Sequence, residues 1–300
     1  ELSRKGLKEK LDVYAEDICS DSSVLFLYIM NQNKKNFYQQ YRSASVLREV
    51  YLWFRNALHI TYPDQTLSNY AYLSEVGQAD EVCKLLAAFG IGITGYEIVD
   101  ISLDRVLYGV PRQLQERILA EIEQNQVKVR NSEEVKAVNM VMRTSNDFVI
   151  ITTDASEQVK CRTIEFSHGM KDTLFRLNEE SDGTVRILDL LEIILAGEGK
   201  TYVVDELDRC LHPSLSYLFV ETFFNVASKK NIQLIVTTHE SRLMDFDLLR
   251  RDEIWFVDKK ENGESDIYSL EEYNARFDQK IDKAYLEGRY GGVPIFTTVF

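Results

Sequence analysis

Short apolar strands alternate with helices in the second half of the sequence. The pattern predicts helices over Thr184 to Leu195 and Ser214 to Ala227. Buried strands are predicted over Thr201 to Asp205, Ile232 to Thr237 and Glu253 to Asp258. Short apolar strands separated by helices are typical of a parallel sheet with helices on its faces. The sequence therefore predicts an α/β fold for this half of the chain.

The preceding residues follow other patterns. Asp147 to Thr153 and Lys160 to Phe166 are β-branched runs joined by a short polar segment, which predicts a β-hairpin. Earlier still, helical spacing predominates, with predicted helices over Leu2 to Asp17, Ala44 to Leu58, Leu73 to Phe89 and Arg112 to Asn125, and a strand over Gly95 to Leu107. We expect a mostly helical lobe over residues 1–140 and an α/β lobe over residues 141–300.

Composition excludes several classes of protein. A chain with 45% hydrophobic and 28% charged residues is too apolar to be disordered and too mixed to be fibrous. Its net charge of −13 argues against a surface that coats nucleic acid broadly. No apolar run approaches the roughly 20 residues that span a bilayer, so no membrane contact is expected. The cysteines are widely separated, which favours reduced thiols in a cytoplasmic protein: Cys19, Cys83, Cys161 and Cys210.

Two carboxylates directly follow one of the predicted strands. Asp205 and Glu206 come after the apolar run from Thr201 to Val204. Such a pair is expected at the carboxyl edge of a parallel sheet, where ligands bind in these folds. In nucleotide hydrolases the first carboxylate holds Mg²⁺ and the second polarises the attacking water. The ordinary alternative, a solvated acidic pair at a strand end, is about as well supported when the pair is considered alone.

Two neighbouring segments add candidate residues. His239 follows the next predicted strand, where it would contact a γ-phosphate or act as a structural cap. Ser181 and Gly183 precede the helix that begins near Thr184, and they would offer hydroxyl and backbone N–H groups to an anion. Taken alone, Ser181 is better interpreted as a helix N-cap.

The order of these segments resembles the ABC-type ATPase heads of the SMC, recombination-repair and OLD-like group. It is most similar to the bacterial "AAA family" ABC-type ATPases associated with abortive infection and phage defence, over residues 164 to 296. In this resemblance NEESDGT is the signature motif, VVDE is Walker B, ELDRCLHP contains the D-loop and the segment around His239 is the switch-histidine loop. The signature departs from Leu-Ser-Gly-Gly-Gln but keeps Ser181 and Gly183.

The resemblance implies a fold and a mechanism. The fold would be an ABC-type head, a parallel sheet with flanking helices and a β-hairpin, with the helical lobe as an insertion. Two heads would join head to tail, or in a larger homo-oligomer, around ATP and Mg²⁺. The implied roles are Mg²⁺ binding by Asp205, activation of water by Glu206, sensing of the γ-phosphate by His239, contact with the partner's ATP by Ser181 and Gly183, and a place at the dimer seam for Asp208. The heads would control a companion effector, such as a nuclease.

An ATPase of this type needs a GxxxxGK[ST] loop, and the sequence contains none. The nearest match, Gly199-Lys200-Thr201, lacks the first glycine and precedes a strand, so we interpret it as a turn. We therefore expect the chain to lack the N-terminal part of the nucleotide-binding lobe and not to hydrolyse ATP by itself. A degenerate scaffold without hydrolysis is the alternative, which the intact Asp205, Glu206 and His239 disfavour.

Parts of the sequence also suggest other functions. The first part carries many aromatic residues with basic residues between them, so single-stranded nucleic acid is a candidate partner. A helical core that contains Trp53 and Phe54 is the better-supported interpretation of that pattern. A DNA-repair or chromosome-associated SMC-like head would usually carry long coiled-coil arms, and the sequence shows no sustained heptad run. Too few residues follow His239 for a further catalytic domain, so we assign no nuclease activity to the chain.

Overall fold

The computed structural model describes residues 5–16, 25–32, 35–68, 70–74, 79–131, 137–143, 147–169, 173–195, 198–260, 262–273 and 281–293. The helices are α1 (Lys5–Glu16), α2 (Phe26–Asn31), α3 (Lys35–Gln40), α4 (Ser45–Asn56), α5 (Ala79–Ala88), α6 (Leu103–Leu107), α7 (Arg112–Arg130), α8 (Asp182–Leu195), α9 (Pro213–Lys230) and α10 (Ile281–Leu286). The strands are β1 (Leu58–Thr61), β2 (Gly95–Ile101), β3 (Ala137–Arg143), β4 (Phe148–Asp154), β5 (Val159–Ser167), β6 (Leu174–Arg176), β7 (Thr201–Val204), β8 (Gln233–Val236), β9 (Trp255–Lys259) and β10 (Ser265–Ser269).

The chain forms two compact units, and the first contains the parallel sheet. This unit comprises Glu1–Thr61, Gly197–Val204 and Ala227–Val236. Its sheet has the order β1-β7-β8, with all strands parallel and Val204 beside Thr61 and Val236. The central strand is the most buried, since Tyr202 and Val204 are 2% and 0% exposed. The α1–α3 region has a small core of its own, formed by Leu7, Met30, Phe37 and Ala44.

The second unit contains an antiparallel sheet with helices packed on it. This unit comprises Tyr62–Ala196, Asp205–Val226 and Thr237–Phe300. Its strands have the order β2-β5-β4-β3, and β6 also pairs with β5. One buried cluster joins the sheet to α6 and α7, and it consists of Val106, Ile118, Ile122, Val149, Ile151 and Cys161. Each of these larger aliphatic side chains contributes roughly 1.5–3 kcal/mol when it is removed from water.

Much of the predicted pattern is confirmed. The fold is α/β, with a parallel sheet, helices and the predicted hairpin, which β4 and β5 form. The predicted helix over Thr184 to Leu195 is α8, and the helix over Ser214 to Ala227 is α9. Gly199, with φ +74°, lies two positions before the first residue of β7, as expected for a turn that leads into a strand and not into the helix that follows a phosphate loop. The division at residue 140 stays a prediction.

The predicted strand over Glu253 to Asp258 is not part of the parallel sheet. It forms β9, which pairs antiparallel with β10 so that Val257 lies beside Ile267. Phe256 is 5% exposed and packs into a cluster with Leu270 and Ile281, whereas Trp255 is 55% exposed. The apolar run therefore alternates between a covered and an uncovered face, which is typical of an antiparallel pair and not of a doubly covered strand.

Two other expectations about the first part were wrong in detail, and a third falls partly on residues outside the described part of the chain. The strand predicted over Gly95 to Leu107 ends at Ile101, because the Ser102 hydroxyl accepts from the Arg105 N–H at 3.2 Å and begins α6. The helix predicted over Leu73 to Phe89 is observed only as α5, and residues 75–78 lie outside the described part. Trp53 and Phe54 are 42% and 54% exposed on α4, which has no fully buried residue, so they do not form a core.

Candidate functional site

The residues that follow β7 and β8 are hydrogen-bonded to one another. The Thr237 hydroxyl donates to the Asp205 carboxylate and accepts from the Glu206 N–H at 2.9 Å. The Leu207 N–H donates to the Thr237 carbonyl at 3.0 Å. These segments continue from neighbouring parallel strands, and ligands bind outside the carboxyl ends of such strands. The predicted carboxylate pair and the loop of His239 are therefore joined through Thr237.

Glu206 is held through its backbone and not through its side chain. It has a left-handed conformation, with φ +49°, which costs a residue with a Cβ on the order of 1 kcal/mol. Its carbonyl accepts from the Arg186 guanidinium at 2.9 Å and from the Arg209 N–H at 3.2 Å. Its carboxylate has no hydrogen-bond or ion-pair partner in the part of the chain that the structure describes. The geometry thus fixes Glu206 and leaves its carboxylate available to accept a proton.

Asp208 fixes the loop that carries His239. One of its oxygens accepts from the Thr238 hydroxyl at 2.6 Å and from the His239 N–H at 3.1 Å. Thr238 in turn accepts from the Glu240 N–H at 3.0 Å. The imidazole of His239 is exposed and makes no hydrogen bond within the described ranges. The structure therefore gives Asp208 a role within its own chain, which the sequence did not indicate.

Ser181 and Gly183 lie at the beginning of α8. The Ser181 hydroxyl accepts from the Thr184 N–H at 3.1 Å and is 3.0 Å from the Thr184 hydroxyl, so it acts as an N-cap. Ser181 is also exposed. A Cβ on Gly183 would be 3.0 Å from the carbonyl oxygen of Cys210, which is tighter than an ordinary contact. Glycine at this position therefore lets α8 approach the turn that follows Asp205.

Arg186 is a buried cation beside the carboxylate turn. Its side chain comes from α8, and the residue is 7% exposed. Its Nε has no partner among the residues described, so the bond to the Glu206 carbonyl is its clearest polar contact. Burial lowers the pKa of this guanidinium, and the nearby Asp189 acts in the opposite direction.

Another charged residue of α8, Asp189, is paired within the fold. Asp189 is 5% exposed and forms a hydrogen-bonded ion pair with Arg143. The Arg143 guanidinium lies over the Tyr70 ring, 4.4 Å from its centroid. Burial raises the pKa of the Asp189 carboxyl, and Arg143 opposes that shift. This cluster is a structural support for α8.

The carboxylates suit a metal that arrives with a nucleotide. No group of three His, Cys, Asp or Glu side chains in the described ranges is placed to hold a metal ion. Asp205 has one oxygen bonded by Thr237, and its other oxygen has no partner in those ranges. Mg²⁺ is commonly held by one or two carboxylates together with substrate phosphates and water. The donor set therefore fits Mg²⁺ bound with a nucleotide.

Most of the residues described above are candidates that the sequence pattern predicts, whereas the residues that hold them have no such pattern. The structure brings Asp205, Glu206 and Asp208 together with the His239 loop, and it places Gly183 against the same turn. Arg186 was missed because a single arginine on an amphipathic helix has no distinctive pattern. Thr237 lies beside the predicted histidine loop, and only its hydrogen bonds show its role.

Residues 98–245 match the family model described as "AAA domain, putative AbiEii toxin, Type IV TA system". This segment belongs to that family. The chain thus contains an AAA-type ATPase domain of a family linked to toxin–antitoxin systems and abortive infection. All of the predicted site residues lie within the AAA domain. No curated protein matches the chain. Within the described ranges, no helix is long and apolar enough to cross a membrane.

Proposed function

We propose that this AAA domain binds ATP with Mg²⁺ and hydrolyses it, with Glu206 as the general base. The observation that carries the proposal is the state of Glu206, whose backbone is fixed by three hydrogen bonds while its carboxylate has no partner in the described residues. A general base must be positioned within hydrogen-bond reach of the water and must be free to take its proton. The family match supports the nucleotide as the substrate.

The roles of the neighbouring residues follow from their contacts. Asp205 would hold Mg²⁺ through its free oxygen, and the ion would neutralise developing charge on the phosphates. Glu206 would orient the attacking water and accept its proton. His239 would donate to the γ-phosphate from an exposed imidazole whose backbone Asp208 fixes. Thr237 would keep the spacing between the two loops, because its hydroxyl contacts both Asp205 and Glu206.

The proposal extends to a head-to-tail pair of subunits. Ser181 is exposed at the start of α8, and the Thr184 N–H uses only one acceptor site of its hydroxyl. A hydroxyl has one donor and two acceptor sites, so Ser181 can cap its helix and still donate to a phosphate of a partner subunit. In a cytoplasmic defence system, ATP-driven pairing would control a companion effector. The toxin–antitoxin family supports such a companion.

Glu206→Gln in the full-length protein tests the proposal. The amide cannot accept the proton, so turnover is expected to fall by roughly 10²–10⁴-fold while ATP binding persists. Phosphate release measures turnover, and binding of a fluorescent ATP analogue measures ATP binding. Glu198→Gln is the matched control, since Glu198 is exposed before β7. Unchanged turnover in Glu206→Gln would contradict the proposal, and ATP binding without turnover in the parent protein would identify a scaffold.

A mixing experiment tests the shared site. Ser181→Arg would block the signature of one chain, and Glu206→Gln would remove the base of the other. If each ATP lies between two chains, a mixed dimer has one site with both defects and one site with neither, so turnover should partly return on mixing. Gly183 is unsuitable for this test, because any Cβ there also presses on Cys210 of its own chain. Two folded, associating variants that regain no turnover would argue against head-to-tail pairing.

Nucleic acid remains a second candidate partner because of one observation. Trp53 and Phe54 are exposed on α4, with ring centroids 5.1 Å apart, and Arg55 is adjacent in sequence. Exposed aromatic rings with nearby cations can stack on unpaired bases. Trp53→Ala with Phe54→Ala should then weaken binding of a fluorescent single-stranded oligonucleotide at low salt. The absence of binding by the parent protein would remove this function.

A further inference from the structure

The turn that carries the candidate base has an unusual backbone. Glu206 and Cys210, at its two ends, are both in the left-handed region, with φ +49° and +63°, although neither is glycine. Such residues keep this conformation only when their surroundings impose it. Both carbonyls face the beginning of α8, where the Glu206 carbonyl accepts from Arg186 and the Cys210 carbonyl abuts Gly183. The first turns of α8 therefore impose the shape of this turn.

Arg186 makes a charged contact with the Glu206 end of this turn. The guanidinium donates to the Glu206 carbonyl at 2.9 Å from a residue that is 7% exposed. A hydrogen bond from a charged donor is stronger than a neutral one, and water cannot easily replace it at a buried site. The other donor to this carbonyl, the Arg209 N–H, is longer at 3.2 Å and belongs to the turn itself. Arg186 is thus the charged group outside the turn that holds the carbonyl of Glu206, while Thr237 holds the N–H groups of Glu206 and Leu207.

From this geometry we infer that Arg186 is a positioning residue, which sets the direction of the Glu206 carboxylate by fixing the peptide of Glu206. The inference rests on the proposed function of Glu206 as the base. Without Arg186 the Glu206 carbonyl keeps only the longer bond from the Arg209 N–H, so the peptide is held less firmly against rotation toward a commoner conformation. The direction of the Cα–Cβ bond changes with such a rotation. The carboxylate then leaves the place where it would meet the attacking water.

The alternative is that Arg186 only fills and stabilises the region below the turn. The two roles predict different kinetics. A positioning residue acts through Glu206, so its removal should lower kcat and leave the KM for ATP nearly unchanged. Its effect should also disappear when Glu206 can no longer act as a base. A stabilising residue would lower turnover by the same factor whether or not Glu206 is present.

The experiment is a double-mutant cycle in the full-length protein, measured by single-turnover hydrolysis of radiolabelled ATP. Arg186→Ala is expected to lower kcat by at least about tenfold in the parent background, since a charge-assisted hydrogen bond is lost. In the Glu206→Gln background the same change should have no further effect. Arg186→Lys keeps the charge and one donor, so it should retain part of the activity, and it replaces Arg186→Ala if that variant does not fold.

Arg143→Ala is the matched control. It also removes an arginine from the neighbourhood of Asp189, but Arg143 makes no contact with residue 206 in the hydrogen bonds described. Any loss of turnover in this control should be equal in both backgrounds. An equal loss for Arg186→Ala in both backgrounds would overturn the positioning role and leave the proposed function intact. Unchanged turnover in Glu206→Gln alone would overturn the proposed function, and with it the inference.

Discussion

Two successive parts of α8 hold acidic residues in opposite ways. Near its beginning, Arg186 and Gly183 contact backbone carbonyls, so Glu206 is fixed while its carboxylate stays unpaired within the described residues. Further along, Asp189 is fixed through the carboxylate itself, which forms a buried ion pair with Arg143. Under the proposed function, the first arrangement preserves a charge for chemistry, and the second uses a charge to support the fold.

The difference shows how a site and a core can share one helix. Pairing Glu206 with a cation would hold its side chain but lower its basicity, because a nearby positive charge favours the ionised form. Fixing Glu206 through its backbone avoids this loss of basicity. Asp189 has no proposed chemical role, so its basicity does not need to be preserved. An unpaired carboxylate as buried as that of Asp189 would be strongly destabilising. Changes at the two positions should therefore separate activity from stability.

The largest expected effect on stability comes from breaking the buried pair. Arg143→Ala leaves Asp189 without its main partner and should lower the free energy of unfolding by about 3–5 kcal/mol at neutral pH. The pKa of Asp189 is already raised by burial. A carboxyl whose folded pKa is raised contributes stability that is present at low pH and is lost as the pH rises through that pKa. The deficit of Arg143→Ala should thus shrink as the pH is lowered, which urea unfolding at several pH values would measure. A deficit that grows on acidification would contradict this account.

A smaller loss is expected at the loop of His239. Thr238→Val keeps the size of the side chain and removes a hydroxyl that donates to Asp208 and accepts from the Glu240 N–H. Stability should fall by about 1–2 kcal/mol, since partners are left without a bond. The melting temperature measures that loss, and ATP turnover reports the position of His239. Thr222→Val on α9 is the control, because its hydroxyl donates to the Leu218 carbonyl outside the loop. Equal losses of turnover in both variants would argue against a special role for this loop.

A gain in stability is expected where the backbone is left-handed. Glu206→Gly relieves the conformational cost at φ +49° and should raise the free energy of unfolding by up to about 1 kcal/mol. Glu206→Ala removes the same carboxylate without that relief, so it is the matched control. Both variants should lose turnover. A glycine variant less stable than the alanine variant would show that the conformation is not strained.

The smallest effect is expected at an exposed ion pair of the same unit. Arg130 on α7 and Glu157 in the turn between β4 and β5 form a short contact, but both lie at the surface. Exposed pairs contribute little because water and salt screen them. Arg130→Ala should unfold at a temperature that cannot be distinguished from that of the parent. A clear change in the unfolding temperature would mean that surface ion pairs contribute to stability here as buried ones do.

The regular spacing of apolar residues was enough to predict much of the fold. The helices α8 and α9, the β4–β5 hairpin and the strand before Asp205 follow from apolar spacing and turn residues. The placement of β9 in a separate hairpin could not be predicted, because the same apolar run is expected of a buried parallel strand and of an antiparallel strand. Trp53 and Phe54 likewise lie on an apolar stripe of α4, but the spacing of the stripe does not show whether other residues cover it.

The acidic residues of the candidate site follow a pattern in the sequence, and the residues that hold them do not. Carboxylates after an apolar strand form a recognisable pattern, so Asp205 and Glu206 could be found. The support from Arg186 depends on a bond to a backbone carbonyl twenty positions away, and nothing in the spacing of side chains records it. The left-handed φ of Glu206 was also hidden, because the sequence there shows glutamate and not glycine.

The left-handed glutamate has a consequence for the history of the chain. Glutamate and glycine codons differ by one base, so a single mutation at position 206 reaches the residue that suits this backbone best. If the glycine variant is the more stable one, selection for stability would favour it in a lineage that no longer used the carboxylate. Glutamate at position 206 is then expected to persist only where its carboxylate is used.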